Sequence, residues 1–497
     1  MAHYIRSEIR IDGDYPVIEL LELSMDLGVN RHGTLTYGGY VSEADAARCL
    51  RQSAEAQIVS LFLGDKLEFC GYPQEINLEC NHQTCYLRVT LATSSQLMDT
   101  SPHTRFFQDT ERSFADIINE AYENSALGNL RATRGDEKIN HPVLQYRETD
   151  WEFTLRMAGR LGTVVIPSAT APQIMLGLPE GQAIDETNRN TYIIGRKAAE
   201  SRRKYASISN QGQQHFLAYT MESENRYKLG DQVKIDGKLL NVMAKSLVYK
   251  QGEAQVSYVL GLETEYAVPF RHHRIITGLE LEGRVVERSG QQLRMVLNID
   301  AARNDAAQTW FAYAPPTNNG MYNMPLENEK VMLQWQSEDD SDILAVRSVR
   351  QNSHDMPTPE QRHFLTEYQN HMMMVPNKME YKNPTASIKW LGGSGFDIET
   401  SKKISLSAWQ DIHINSSAQV RVFAPKRITV GKSGDDSSID MVSSEIHIQA
   451  LKDVDIISQG NHSKRPMLPE QAESVIIDDT VEKLIATVPA VLNAKTL

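Results

Sequence analysis

The 497-residue chain reads as a mainly-β protein with a small helical part. Three observations predict that class. Paired apolar residues recur every eight positions from Ile388 onward, five strand-like runs crowd into residues 278–352, and β-patterned stretches flank one short helical segment. At this length three or more domains are expected. A composition of 41% hydrophobic and 23% charged residues is that of a folded globular chain.

The repeat is the strongest signal. Ile388-Lys-Trp390, Phe396-Asp-Ile398, Ile404-Ser-Leu406, Ile412-His-Ile414, Val420-Arg-Val422 and Ile428-Thr-Val430 start eight residues apart. After a Gly- and Asp-rich interruption at Gly431 to Ser438 the pattern resumes at Ile446-His-Ile448 and Val454-Asp-Ile456, with Ile439-Asp-Met441 between them out of register. Residues two apart point to one face of a strand, so each pair presents an apolar face and turns its polar middle residue away. Short strands at a fixed period mark a β-solenoid or an intertwined β-helix.

Magnitudes decide between those two. Burying two apolar side chains per octad is worth roughly 3–6 kcal/mol, whereas ordering eight backbone residues costs roughly 8–16 kcal/mol. Backbone pairing must supply the difference, so every strand needs neighbours on its edges. A single-chain solenoid takes about twenty residues to go round three sides, and eight supply about one side. The period therefore predicts a triple-stranded, intertwined trimeric β-helix over residues 387–459, with the paired side chains named above as its inward core. An antiparallel sandwich also spaces its strands at about 8–12 residues, but six consecutive pairs at strict spacing disfavour it. His413 and His447 fall at outward middle positions and are read as solvated, so no metal site is predicted.

Upstream, Leu281 to Glu287 and Gln292 to Ile299 flank a Ser289-Gly290 turn, and further strands are expected at Thr309 to Tyr313, Lys330 to Trp335 and Ile343 to Val349. Five strands in about seventy residues suit an OB-like barrel. Such barrels often hold single-stranded nucleic acid on a basic, aromatic groove. The run Ser337-Glu-Asp-Asp-Ser-Asp342 is acidic, so a structural collar at 278–352 is the reading. Phe114, Ile117, Ile118, Ala121 and Tyr122 follow helical spacing after a Ser113 cap. A second helix opens at Thr149 with Glu152 three residues on, a capping box that leads into Trp151, Phe153, Leu155, Met157 and Ala158 as core. Residues 353–386 read as a connector. From 460 to 497, Pro466 and Pro469 break the strand pattern, and Val481, Leu484, Ile485, Val488 and Leu492 suggest an amphipathic helix. That tail is read as a cap or loose end, or as a docking peptide for another protein.

A net charge of -13 excludes the clustered cations that nucleic acid or anionic lipid requires. Met1 to Ile11 shows no basic region followed by an apolar run, and no stretch nears the roughly 18 apolar residues of a membrane span. Synthesis in the cytoplasm without a signal peptide is therefore expected. Four cysteines make no disulfide framework. Cys80 and Cys85 bracket His82 at a spacing unlike a metal site, and reduced thiols around a strand turn are expected.

Catalytic patterns fail one by one. Gly431-Lys432-Ser433 lacks the earlier glycine of a phosphate loop, Phe396 stands where a nucleophile elbow after Ser394 needs glycine, and there is no His-Glu-x-x-His. No enzyme activity and no cofactor are expected.

Three stretches resemble the VgrG and phage tail hub-spike family of contractile injection systems. Leu144-Gln-Tyr-Arg-Glu-Thr-Asp-Trp-Glu-Phe-Thr-Leu-Arg-Met-Ala-Gly-Arg-Leu-Gly162 resembles the helix motif of late-control hub proteins. Ala312 to Pro325, Glu329 to Leu333 and Ser348 to Asn352 resemble the OB barrel, and the octads resemble the needle. The resemblance implies hub β-barrels at 1–110 and 191–272 around a helical segment at 111–190, matching a sixfold tail tube to a threefold needle. It also implies tail tube and baseplate partners, a separate PAAR-like tip protein or effector at the C-terminal end, and transient contact with a target cell envelope. The octads depart from the regular Val-x-Gly pattern of some relatives, and no toxin or lysozyme-like domain is expected. A mechanical spike, assembled in the cytoplasm and delivered outside the cell, is the expected function. A glycan-cleaving tail spike and a receptor-binding module are the rivals.

Overall fold

A computed structural model describes residues 3–49, 51, 58–81, 84–123, 130–186, 192–196, 217–223, 225–300, 307–315, 323–349, 360–431, 437–442, 445–450 and 474–477. The chain is mostly strand, and it divides into two compact units: residues 1–368 with 374–376, and residues 369–373 with 377–497. Among the described residues no helix is long and apolar enough to cross a membrane.

The first unit is built on one large antiparallel sheet. Its strands run in the order Ile193–Arg196, Leu217–Glu222, Glu253–Gly261, Lys238–Lys250, Glu19–Gly28, Thr34–Val41, Thr84–Thr93, Lys66–Asn81, Val59–Leu63 and Ile9–Asp12. The segments at 1–110 and 191–272, each expected as a hub β-barrel, pair with one another in this sheet. Lys238–Lys250 pairs with Glu19–Gly28 from Ala244↔Gly28 to Val248↔Ser24. Their inward residues, among them Leu23, Tyr37, Leu87, Val242 and Tyr258, form a single core. The physical reason is that two half-buried sheets meeting edge to edge satisfy each other's open ladders. Alternation along Val59–Leu63 and Glu253–Gly261 matches burial on one face. Asp236-Gly237 and Gln251-Gly252 turn the adjoining hairpins with all four residues at positive φ, which their two-residue loops require. At Gly39 the backbone of the neighbouring strand passes so close that a Cβ would lie 1.9 Å from the Glu19 carbonyl oxygen.

The helical segment forms as its sequence predicts. Ser113 Oγ accepts from the Asp116 amide at 3.1 Å, and Phe114, Ile117, Ile118, Ala121 and Tyr122 are all buried. Thr149 and Glu152 exchange reciprocal hydrogen bonds of 3.1 Å at the start of helix Asp150–Leu161, which ends on a left-handed Gly162. The strands Pro102–Phe107 and Val143–Thr149 form the wall beside it. Phe107 and Val143 face the helical core, while their neighbours Phe106 and Leu144 face the core of the next element.

That next element is a five-stranded barrel of Glu280–Ser289, Gln292–Leu297, Phe311–Ala312, Lys330–Trp335 and Ile343–Val349. The hydrogen-bonded order places the third strand at one end and the fifth at the other. A parallel bridge between Tyr313 and Ala345, with the Ala314 amide donating to Ala345 O at 2.8 Å, closes the ring. Trp335, Phe311, Val331 and Leu333 fill it.

Cys80 and Cys85 face each other near the end of the Lys66–Asn81/Thr84–Thr93 hairpin and are joined by a disulfide. This corrects the expectation of reduced thiols: strand register, which the five-residue spacing did not reveal, sets the two side chains directly opposite. Cys49 and Cys70 remain free thiols.

Candidate assembly surface along the repeat

The second unit begins earlier than the repeat. Within the expected connector, His371–Val375 and Lys378–Lys382 are strands that lead into Ala386–Leu391 and Gly395–Thr400. Antiparallel register brings Tyr381, Ile388 and Ile398 into one row and Met379, Trp390 and Phe396 into the next. The first two octads thus share one apolar face. Trp390 lies 5.6 Å from Tyr381 and 5.3 Å from Phe396 between ring centroids. Tyr381, Trp390, Phe396 and Ile398 are nevertheless exposed.

The opposite face is polar. Glu380 pairs with Lys378 at 2.6 Å and Lys389 with Glu399 at 3.0 Å. The Lys378 ammonium beside it holds the Glu380 carboxyl below the usual range. A second meander, Arg427–Gly431, Ser438–Val442 and Glu445–Gln449, repeats the arrangement. Ile428 stands opposite Met441, Val430 opposite Ile439, and Ile439 and Met441 in turn opposite Ile448 and Ile446. Ile439 and Met441, out of strict period in the sequence, are thereby brought into line. His447 lies 3.0 Å from Glu445, and His413 is exposed beside Asp411 at 3.9 Å.

Between the meanders lies the informative stretch. Residues 401–426 carry neither helix nor strand, and every one of them is exposed. Ile404–Leu406, Ile412–Ile414 and Val420–Val422, expected as strands of a three-chain needle, form no strand within the single chain, for a simple reason. A strand exists only when a neighbour takes up its N–H and C=O groups, and here the chain runs on without folding back. Its shape still keeps the period: the backbone bends at 401–402, 409–410, 417–418 and 425–426, always eight apart. Each straight stretch between bends holds one apolar pair, with Leu406 72% and Ile414 69% exposed, and Trp409 projects from a corner. Val454 and Ile456, and most of the tail from 460 to 497, lie outside the described residues.

Sequence reading also missed a cluster in the first unit. His32 Nδ1 lies 2.8 Å from Ser95 Oγ, its Nε2 3.5 Å from Asp99, and its ring 4.3 Å from Trp151. The residue types are those of a nucleophilic triad. Ser95 is only 1% exposed and shares its hydroxyl with Thr93 at 2.9 Å, so the trio packs the turn after Thr84–Thr93 against the helix. Burial lowers the His32 pKa. No sequence spacing signals this group, because its members come from separate elements. Among the described residues no group of His, Cys, Asp or Glu is placed to hold a metal ion.

The architecture is a mainly-β chain in which a large sheet is interrupted by a helical insert and followed by a small barrel and the eight-residue repeat. No family model matches the chain, nor does any curated protein. Solved structures do. A chain of the Francisella PdpA-VgrG complex in its lidded form matches at TM-score 0.52 and 9% identity, over 79% of this chain and 80% of that one. The lidless form matches at 0.50 and 9%, over 80% and 98%. The E. coli c3393 protein, a type VI secretion component described as similar to the T4 phage tail proteins gp27 and gp5, matches at 0.46 and 11%, over 70% and 100%. At these identities it is the fold that is shared, that of a chain in the PdpA-VgrG complex.

Proposed function

We propose that this chain is the hub and spike subunit of a contractile injection system. It works as a homotrimer that links a tail tube and baseplate to a tip protein and pierces a target envelope or delivers effectors without bond chemistry. One observation carries the reading: a 26-residue apolar-paired stretch, bent every eight residues, lies exposed along its whole length in one chain. Leaving that much apolar surface in water opposes folding at about 25 cal/mol per Å². Copies of the same stretch offer matching edges and an equal period. Three of them close a turn with three straight sides, and the inward pairs meet on the axis.

The strand order and parallel closure of residues 280–349 support an OB-type collar. The shared fold with a chain of the PdpA-VgrG complex supports the hub assignment. Assembly would take place in the cytoplasm, and the particle would act outside the cell.

The test is native mass. The full chain is expected at three times 56.0 kDa, whereas Ile412→Asp should fail to trimerise because three carboxylates would meet in the core. Ile412→Leu keeps the apolar bulk and should remain trimeric. A wild-type monomer that is folded and stable, or a normal I412D trimer, would overturn the proposal.

A further inference from the structure

Helix Asp150–Leu161 meets the five-stranded barrel at a buried lattice of charges. Arg156 is only 1% exposed. Its Nε donates to Glu148 Oε1 at 2.8 Å and its Nη2 to Glu148 Oε2 at 2.8 Å, while Nη1 reaches Asp340 Oδ2 at 2.8 Å. Nη2 also donates to the Leu144 carbonyl at 2.6 Å. Asp340 takes a second cation, Arg160, and its side chain has no exposure at all. Asp340 belongs to the acidic loop 337–342 between the last two barrel strands, far in sequence from the helix. Two carboxylates and two guanidiniums thus balance, and they bind the barrel to the helical segment.

Two histidines complete the lattice. Arg160 Nη1 stands 3.3 Å from His141 Nε2, and His141 Nδ1 is 3.0 Å from the Pro142 carbonyl. A guanidinium only donates, so this geometry holds only while the His141 ring is uncharged and donates through Nδ1. His273 Nε2 donates to the Tyr146 carbonyl at 3.0 Å and sits 3.6 Å from Glu148, and its amide donates to Glu338 O at 3.3 Å. The groups facing the two rings are Glu148, Arg156, Arg160, Asp339 and Asp340, with His272 beside Asp339. Charging the His273 ring would set three cations, with Arg156 and Arg160, against Glu148 and Asp340 inside the protein. Glu148 is already held by both nitrogens of the Arg156 fork. Asp339 is occupied by the Ser341 amide and hydroxyl at 2.9 and 2.8 Å.

We propose that the Glu148–Arg156–Asp340–Arg160 lattice is an acid-opened latch, with His273 as its sensor, that locks the barrel to the helical segment at neutral pH and releases the 336–343 loop on acidification. The inference concerns a joint within one chain and holds whatever machine the chain serves. Its sign follows from His273. Burial, as the largest cause, depresses its pKa below the ordinary histidine value. The stability it contributes is therefore complete above about pH 6.5, its unfolded value, and is lost as pH falls from there through the depressed folded value. Asp340 Oδ1, buried without a partner among the described residues, lies on the same loop.

Hydrogen exchange on the full-length protein tests the latch. After correction for the intrinsic pH dependence, peptides covering 336–343 and 144–161 are expected to exchange about tenfold faster near pH 5 than near pH 7.5. The double variant His141→Gln, His273→Gln should flatten that response, since glutamine keeps hydrogen bonding without a titration. Asp340→Asn should show the fast exchange already near pH 7.5. An unresponsive wild type, a full response in the double variant, or a D340N loop as protected as wild type would each overturn the proposal. Should the double variant fail to fold, the wild-type profile and D340N still decide it.

Discussion

Arg156 places its whole guanidinium fork inside the protein, and that sets what its loss would do. Removing one partner of a buried, hydrogen-bonded pair leaves the others charged and uncompensated. Arg156→Ala is therefore expected to lower unfolding free energy by about 3–5 kcal/mol in denaturant titrations, against little effect from truncating exposed Arg10. Thiol chemistry offers a second residue-scale check. Denatured, unreduced protein should titrate two free thiols per chain, Cys49 and Cys70, and four after reduction. In the native state both should alkylate slowly, because burial raises their pKa values. Four titratable thiols without reductant would refute the Cys80–Cys85 bridge.

At the scale of elements, local signals with a complete chemical rationale carried through. The capping box at Thr149 and Glu152 forms as read, and Thr149→Ala should cost about 1 kcal/mol of stability in a thermal or denaturant melt. The buried face of Phe114–Glu123 follows its helical spacing residue by residue. The barrel strands at Gln292, Lys330 and Ile343 begin where alternation and turn residues placed them. Burial of Asp340 had no such signal. Within an acidic run it reads as a solvated loop residue, and only the approach of Arg156 and Arg160 from another element gives it a reason to be inside.

For the whole molecule, the large sheet shows what patterning omits. Two strand-rich segments, separated in sequence by the helical one, complete each other through pairing between Lys238–Lys250 and Glu19–Gly28. Periodicity says that a strand has an apolar face, not which strand lies beside it. The repeat poses the same question between chains. If three copies supply the neighbours that residues 401–426 lack within one chain, trimer and needle should be lost together on dilution or denaturation, with one cooperative signal for strand content and mass. Strand content over 401–426 that persists in an isolated monomer would contradict that coupling.

By itself the sequence determined the class, the two helices after Ser113 and Thr149 with their caps, the barrel strands and the eight-residue period, because each rests on neighbours a few positions apart. The tertiary structure alone decided the joining of residues 1–110 and 191–272 into one sheet, the Cys80–Cys85 pairing, the triad-like packing of His32 and the burial of Asp340. Those depend on which distant elements meet, and contact between distant elements leaves no spacing in the chain to be read.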